Sequence, residues 1–99
     1  MILSDQFTRD LEKTIEVAKA QKYVPTYFMQ MLAEHGGVET AKRLLASTDP
    51  QPGLFRLYDL GLLSDSMEAV VIQKKYKSLF TAEELQQAHK RLHELGYIK

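Results

Sequence analysis

The sequence predicts an all-α fold, a compact single-domain bundle of five or six short helices over residues 1–99. Apolar residues recur at steps of three and four through most of the chain, which is the spacing of amphipathic helices. Two segments carry the capping-box pattern that marks helix N-termini. Only one short run favours a β-strand, and a lone strand would leave its backbone hydrogen-bonding groups without partners.

The first predicted helix runs from residue 4 to residue 23, with Ser4 as its N-cap and Asp5 in its first turn. Charged residues fill the positions between its apolar ones, so this helix is expected to bury one face and expose the other. The apolar face consists of Phe7, Leu11, Ile15 and Ala18.

The second predicted helix begins around Pro25, whose ring suits a first helical turn, and ends at Gly36. Gly36 and Gly37 together form a glycine corner, because a glycine tolerates the positive φ of a C-terminal cap. A third helix is therefore expected to restart from about Val38 to Ala46 at a new angle.

Residues 47–53 contain two prolines and a glycine and are predicted to form a loop before a fourth helix over 54–60, which Gly61 ends. Asp65 and Glu68 have capping-box spacing and are predicted to open a fifth helix. Its continuation over 69–72 is apolar, so we expect this helix to be central and buried. The run Val70–Ile72 also favours a strand, and this alternative is rejected for want of a second strand.

The last predicted helix has the clearest boundaries. Thr81 and Glu84 form a second capping-box pattern, and Gly96 marks the end of the helix. Its apolar stripe consists of Leu85, Ala88, Leu92 and Leu95.

Composition excludes several classes of protein. The 99 residues are 44% hydrophobic and 26% charged, which is typical of a globular domain rather than a disordered one. The 13 basic and 13 acidic residues give no overall electrostatic preference for nucleic acid or an anionic membrane. Without cysteine there are no disulfides and no thiolate metal sites. No export signal or membrane-spanning run is visible, so we predict a cytoplasmic protein without membrane contact.

The sequence offers no recognisable catalytic constellation, and we predict a protein that is not an enzyme, with no cofactor and no metal. None of the serines lies in a nucleophile elbow, and the glycines lack phosphate-loop spacing. His89 and His93 are four residues apart and so neighbours on a helix surface, but Lys90 stands where a metalloprotease helix has its glutamate. The more economical interpretation is a pair of histidines at or near solvent.

We therefore predict a non-enzymatic helical interaction module that binds a protein partner or itself. Tyrosine and arginine are frequent anchors of protein interfaces. The candidate partner-binding residues surround the junction of the second, third and fourth helices and are Tyr27, His35, Lys42, Arg43 and Tyr58.

Two features keep nucleic-acid binding open as the alternative. The helices around Gly36 and Gly37 resemble a helix-turn-helix pair, although Arg43 stands where the second helix usually buries an aliphatic residue. The second feature is a possible basic patch formed by Lys74, Lys75 and Lys77, which Lys90 and Arg91 would extend if the last two helices pack together.

Four segments, residues 31–45, 53–61, 67–71 and 79–97, together resemble a widespread bacterial family of small helical domains of uncharacterised function. Members of that family occur alone and as tails of larger proteins. The resemblance implies an all-α domain and carries over no functional residues.

Overall fold

A computed structural model describes residues 2–48 and 51–98 and confirms the all-α fold, with 77% helix and no strand among these residues. The Cα radius of gyration is 12.4 Å, close to the value expected for one domain of this length. Two 3₁₀ helices accompany the α-helices, at Leu63–Asp65 and Lys74–Leu79. The α-helices are α1 (Leu3–Ala20), α2 (Thr26–His35), α3 (Gly37–Ala46), α4 (Pro52–Asp59), α5 (Met67–Val71) and α6 (Ala82–Glu94).

The short helix α5 lies at the centre of the bundle, as predicted, and all five of its residues are buried. It packs against α1, α3 and α6. Three aromatic rings close the core beside it: the Phe7 ring meets Tyr76 at 5.0 Å and Phe80 at 5.2 Å, both edge to face. The rest of the chain is therefore arranged around a helix of little more than one turn.

Glycine allows α1 and α3 to approach closely. The Gly37 amide donates a 3.0 Å hydrogen bond to the Thr8 hydroxyl, and a Cβ at Gly37 would lie 2.8 Å from the Thr8 Cα atom. Gly36 has φ +78°, which confirms the positive φ predicted at this corner. The buried Thr40 hydroxyl donates to the Met31 carbonyl at 3.0 Å, so α2 is fixed relative to α3.

Some predicted boundaries are wrong. Helix α1 ends at Ala20 and not at residue 23. Ser4 lies inside α1, whose N-cap is Ile2 with no side-chain cap. The predicted loop is shorter than expected, because Pro52 and Gly53 form the first turn of α4. Proline is favoured there since its missing N–H would have no helical partner. The remainder of the predicted loop includes residues 49 and 50, which lie outside the described residues.

The capping box predicted for α5 is also wrong. Ser66 is the N-cap, and its hydroxyl accepts a 3.1 Å hydrogen bond from the Ala69 amide. Asp65 instead ends the first 3₁₀ helix, and Glu68 is buried. Serine and aspartate are about equally good caps, so the sequence pattern alone does not distinguish them.

The capping box of α6 is confirmed in both directions. The Thr81 hydroxyl accepts from the Glu84 amide at 3.2 Å, and the Glu84 carboxylate accepts from the Thr81 amide at 2.8 Å. Among the residues that the structure describes, no helix combines the length and apolar character needed to cross a lipid bilayer.

Candidate functional site

An open groove of about 640 Å³ lies between α1, α2 and α4. Its floor is apolar and buried, and we call it the apolar groove. Segment 23–28 lines one side and segment 51–57 lines another. The floor consists of Ile15, Ala18, Met31, Leu54 and Met67.

The sequence creates this groove by ending α1 early and turning the chain. Lys22 adopts φ 64°, and the Tyr23 amide bonds the Ala18 carbonyl at 2.9 Å. The Tyr23 side chain then reaches α4, where the Arg56 guanidinium lies 5.9 Å from the Tyr23 ring centroid. A Cβ on Gly53 would lie 3.1 Å from the Tyr23 hydroxyl, so glycine allows this close contact.

Two large apolar side chains in the lining of the groove are exposed, and we call them the apolar rim. Val24 (56% exposed) and Tyr27 (70%) belong to one wall. Phe55 (47%) and Tyr58 (50%) are also exposed on α4, but they follow the groove-lining Leu54 and Leu57 by one residue and are not part of the lining. The burial of apolar side chains in the floor and their exposure at the rim make this face unlike an ordinary mixed surface.

A buried ion pair lies beneath the groove. Arg91 Nη1 donates to Glu68 Oε2 at 3.0 Å, and Arg91 Nη2 donates to the carbonyls of Leu44 and Ser47 at the end of α3. The side chains of Arg91 and Glu68 are only 9% and 5% exposed. The sequence-based assignment of Arg91 to an exposed basic patch is therefore wrong, because α6 packs with this residue facing α3 and α5.

Two other charged residues line the groove. Arg43 Nε donates to Glu39 Oε2 at 2.9 Å on the same helix. Asp65 is partly buried, and within residues 2–48 and 51–98 its side chain makes neither an ion pair nor a hydrogen bond. The groove therefore contains one carboxylate that no described group neutralises.

Two of the five predicted partner-binding residues, Tyr27 and Arg43, line the groove. Tyr58 is exposed on α4 and is not part of the lining. His35 ends α2 outside the groove, where its Nε2 lies 3.7 Å from Glu34 Oε2. Lys42 faces α6 instead. Its ammonium lies 2.7 Å from Glu84 and 5.4 Å from the Phe80 ring centroid.

Sequence analysis missed the floor of the groove because its residues look like ordinary core positions. Met31 and Leu54 are on apolar stripes, and the neighbouring residues in the sequence do not indicate that these side chains face an open groove. The sequence analysis assigned Asp65 to a capping box and therefore did not predict that it lines the groove. A local signal was Pro25 shortly after the polar pair Gln21 and Lys22, since proline often marks a turn in the chain.

The predicted helix-turn-helix pair lies partly in the groove, because Tyr27 of α2 and Arg43 of α3 line it, whereas the predicted basic patch is not part of the lining. Four residues of α3 are buried, so the helix that would enter a DNA groove exposes little besides Glu39, Arg43 and Ala46. Lys74, Lys75 and Lys77 are exposed on the second 3₁₀ helix, and the Lys75 ammonium lies 3.5 Å from Asp10.

His89 and His93 are exposed on α6. Across the described part of the chain, no group of three or more His, Cys, Asp or Glu side chains is placed to hold a metal ion.

Two groups with shifted pKa values lie away from the groove. Burial raises the pKa of the Tyr76 hydroxyl above its usual range, and its hydrogen bond to Asp10 and the negative charge of Asp10 add to the effect. Burial of Glu84 opposes its ionisation, but hydrogen bonds from Lys42 and Thr81 and the charge of Lys42 outweigh it, so its pKa is lowered. Both groups stabilise packing between helices.

In comparisons with known proteins, no protein-family model, curated protein or solved structure matches this chain. The resemblance to a bacterial family of small helical domains therefore stays a prediction.

Proposed function

We propose that this chain is a non-enzymatic interaction module that binds an apolar segment of a partner protein in its apolar groove. The observation that carries the proposal is the buried apolar floor beneath the exposed apolar rim. Apolar patches of a few hundred Å² are often functional on monomeric proteins, because exposing them to water is unfavourable. Concave sites lined mainly by apolar side chains are also the usual form of binding pockets.

The size of the groove fits a polypeptide segment with several apolar side chains. A cavity of about 150 Å³ holds one benzene molecule, so about 640 Å³ accommodates roughly four large side chains. The described residues contain no strand whose edge could pair with an extended peptide. A convex amphipathic helix presenting residues i, i+3, i+4 and i+7 suits an open groove between helices.

The groove favours a different protein over a second copy of this chain. Taking about 200 Å² for an aromatic side chain and less for valine, the exposed parts of the apolar rim amount to roughly 200 Å². A stable interface buries about 800 Å² on each partner. A two-fold dimer would also place a concave surface against itself and leave its floor unfilled.

The chemistry of the groove supports binding rather than catalysis. Glu68 is held by Arg91, and the described lining residues include no histidine. The groove therefore presents no histidine base beside a serine or threonine nucleophile, the arrangement that activates such hydroxyls. Its hydroxyl groups are those of side chains at the walls, such as Thr14 and Thr26.

The test is selection of a random peptide display library on the full chain. The expected peptides carry large apolar residues at helical spacing, and labelled peptides bind with an affinity at least about tenfold weaker to Tyr27→Asp. This substitution adds a charge to an exposed wall residue. An acidic residue is tolerated in the first turn of a helix, so the fold of Tyr27→Asp should survive.

The matched control is Tyr97→Asp, which changes an exposed tyrosine outside the groove in the same way. It should bind the selected peptides as the unmodified protein does. Absence of enriched peptides, or equal binding to both variants, would refute the proposal. Analytical ultracentrifugation is expected to find a monomer at micromolar concentration, and a stable dimer lost in Tyr27→Asp would identify a second copy as the occupant.

A further inference from the structure

The charged residues that line the apolar groove are unequally neutralised. Glu68 pairs with Arg91 at 3.0 Å, and Arg43 pairs with Glu39 at 2.9 Å. Asp65 has no such partner in the described chain. Among the described residues that line the groove, the ionisable groups therefore leave one negative charge uncompensated.

The fold does not use the Asp65 carboxylate for capping. The neighbouring Ser66 hydroxyl caps α5 by accepting from the Ala69 amide. The Asp65 amide is hydrogen-bonded to the Leu62 carbonyl at 2.9 Å, which fixes the backbone and leaves the side chain at the groove. A carboxylate beside the apolar floor residues does not stabilise the fold through an ion pair or hydrogen bond of its own with any described residue. If a bound segment covers the carboxylate without pairing with it, the carboxylate loses its hydration, which costs free energy.

We infer that the segment bound in the apolar groove carries a lysine or arginine that pairs with Asp65, flanked by large apolar residues. This inference rests on the proposed function, because it concerns the occupant of the same groove. An apolar segment that covered Asp65 without a cation would desolvate an unpaired charge. A cationic side chain compensates for that loss, and it restricts the binding to segments with one basic position.

Parallel selections of one peptide library on the unmodified protein and on Asp65→Lys test this inference. The unmodified protein should enrich a basic residue within the apolar pattern, and Asp65→Lys should enrich an acidic residue at that position. Asp65→Asn should bind the selected basic peptide at least about fivefold more weakly, since it keeps the shape and removes the charge. Added salt should weaken binding to the unmodified protein more than binding to Asp65→Asn.

Asp59→Lys and Asp59→Asn are the matched controls, because Asp59 is an exposed carboxylate on α4 outside the groove. Both should keep the preference for a basic residue. Urea unfolding of Asp65→Asn should show an intact cooperative transition. Enrichment of apolar peptides with no charge preference would overturn the inference and leave the proposed function standing. Enrichment of no apolar peptide by any of these proteins would overturn both.

Discussion

Arg91 and Glu68 form a buried ion pair that joins α6 to α5, with N and O atoms 3.0 Å apart and side chains 9% and 5% exposed. The same guanidinium donates to the carbonyls of Leu44 and Ser47, which end α3. One side chain therefore connects three helices beneath the apolar groove. Its five donors in a planar fork make these simultaneous contacts possible.

Replacing Arg91 with methionine should lower the free energy of unfolding by about 3–5 kcal/mol, because it leaves the Glu68 carboxylate buried and unpaired. Urea unfolding followed by circular dichroism measures the change. The control Arg9→Met alters an exposed arginine on α1 and should shift stability by less than about 0.5 kcal/mol. The double variant Glu68→Met with Arg91→Met should be more stable than Arg91→Met alone, and a double variant of equal or lower stability would contradict this explanation.

Alanine at Gly37 should destabilise the fold by about 1–3 kcal/mol, because its Cβ would lie 2.8 Å from the Thr8 backbone. The same substitution at Gly53 meets only the Tyr23 hydroxyl, at 3.1 Å. That side chain can move, and alanine also favours the helix, so Gly53→Ala should remain within about 1 kcal/mol of the unmodified protein. Thermal unfolding of the two variants shows whether the loss at Gly37 comes from the close approach of the Thr8 backbone or from replacing any helical glycine. Equal losses of stability in the two variants would contradict the role of the Thr8 backbone.

The Tyr76 hydroxyl should make the protein less stable at high pH. Its pKa is raised in the folded protein by burial and by Asp10, so it stays protonated where an unfolded tyrosine ionises. Stability is then unaffected below about pH 10 and falls above it, by up to about 1.4 kcal/mol for each pH unit.

The measurement for Tyr76 is urea unfolding at a series of pH values. Tyr76→Phe should lose about 1 kcal/mol at neutral pH through the missing hydrogen bond. Its alkaline decline should be shallower than that of the unmodified protein. Tyr97→Phe changes an exposed tyrosine and should decline as the unmodified protein does. Parallel curves for all three proteins would refute the role of Tyr76.

Glu84 should contribute stability that is lost in acid. Its folded pKa lies below the usual 4.5, despite burial, because Lys42 and Thr81 bind the ionised form. The contribution is complete above pH 4.5 and disappears as the pH falls through the folded pKa. Glu84→Gln should therefore cost about 1 kcal/mol near neutrality and almost nothing in strong acid.

The control for Glu84 is Glu83→Gln, which removes an exposed carboxylate from the same helical turn. It should leave the acid dependence of stability unchanged. A constant difference between Glu84→Gln and the unmodified protein across the acid range would show that ionisation of Glu84 is not the cause.

The helices were predictable where a local signal set their limits. Thr81 and Glu84 form reciprocal side-chain to backbone hydrogen bonds within one turn, so the start of α6 follows from four consecutive residues. Gly36 and Gly61 adopt positive φ where the helices were predicted to end. The α5 cap was misassigned by one residue, because Asp65 and Ser66 have similar capping ability and tertiary packing selected between them.

The candidate site was predictable only in part. Tyr27 and Arg43 were chosen from the sequence and line the groove, whereas Lys42 pairs with Glu84 at a distance of 42 residues along the chain. Arg91 seemed to be a surface cation, and its burial depends on α3 and α5 meeting it. Long-range contacts of this kind leave no periodic trace in the sequence.

The sequence by itself determined the all-α class, the approximate helix positions and the central burial of α5, because periodicity and capping act over a few residues. Only the tertiary structure decided that Ile15, Met31 and Leu54 form the floor of an open groove instead of a closed core. It also decided that Asp65 lines that groove with no partner among the described residues. An apolar stripe specifies that a helix must bury one face, and the packing of distant helices decides where part of that face stays open to solvent.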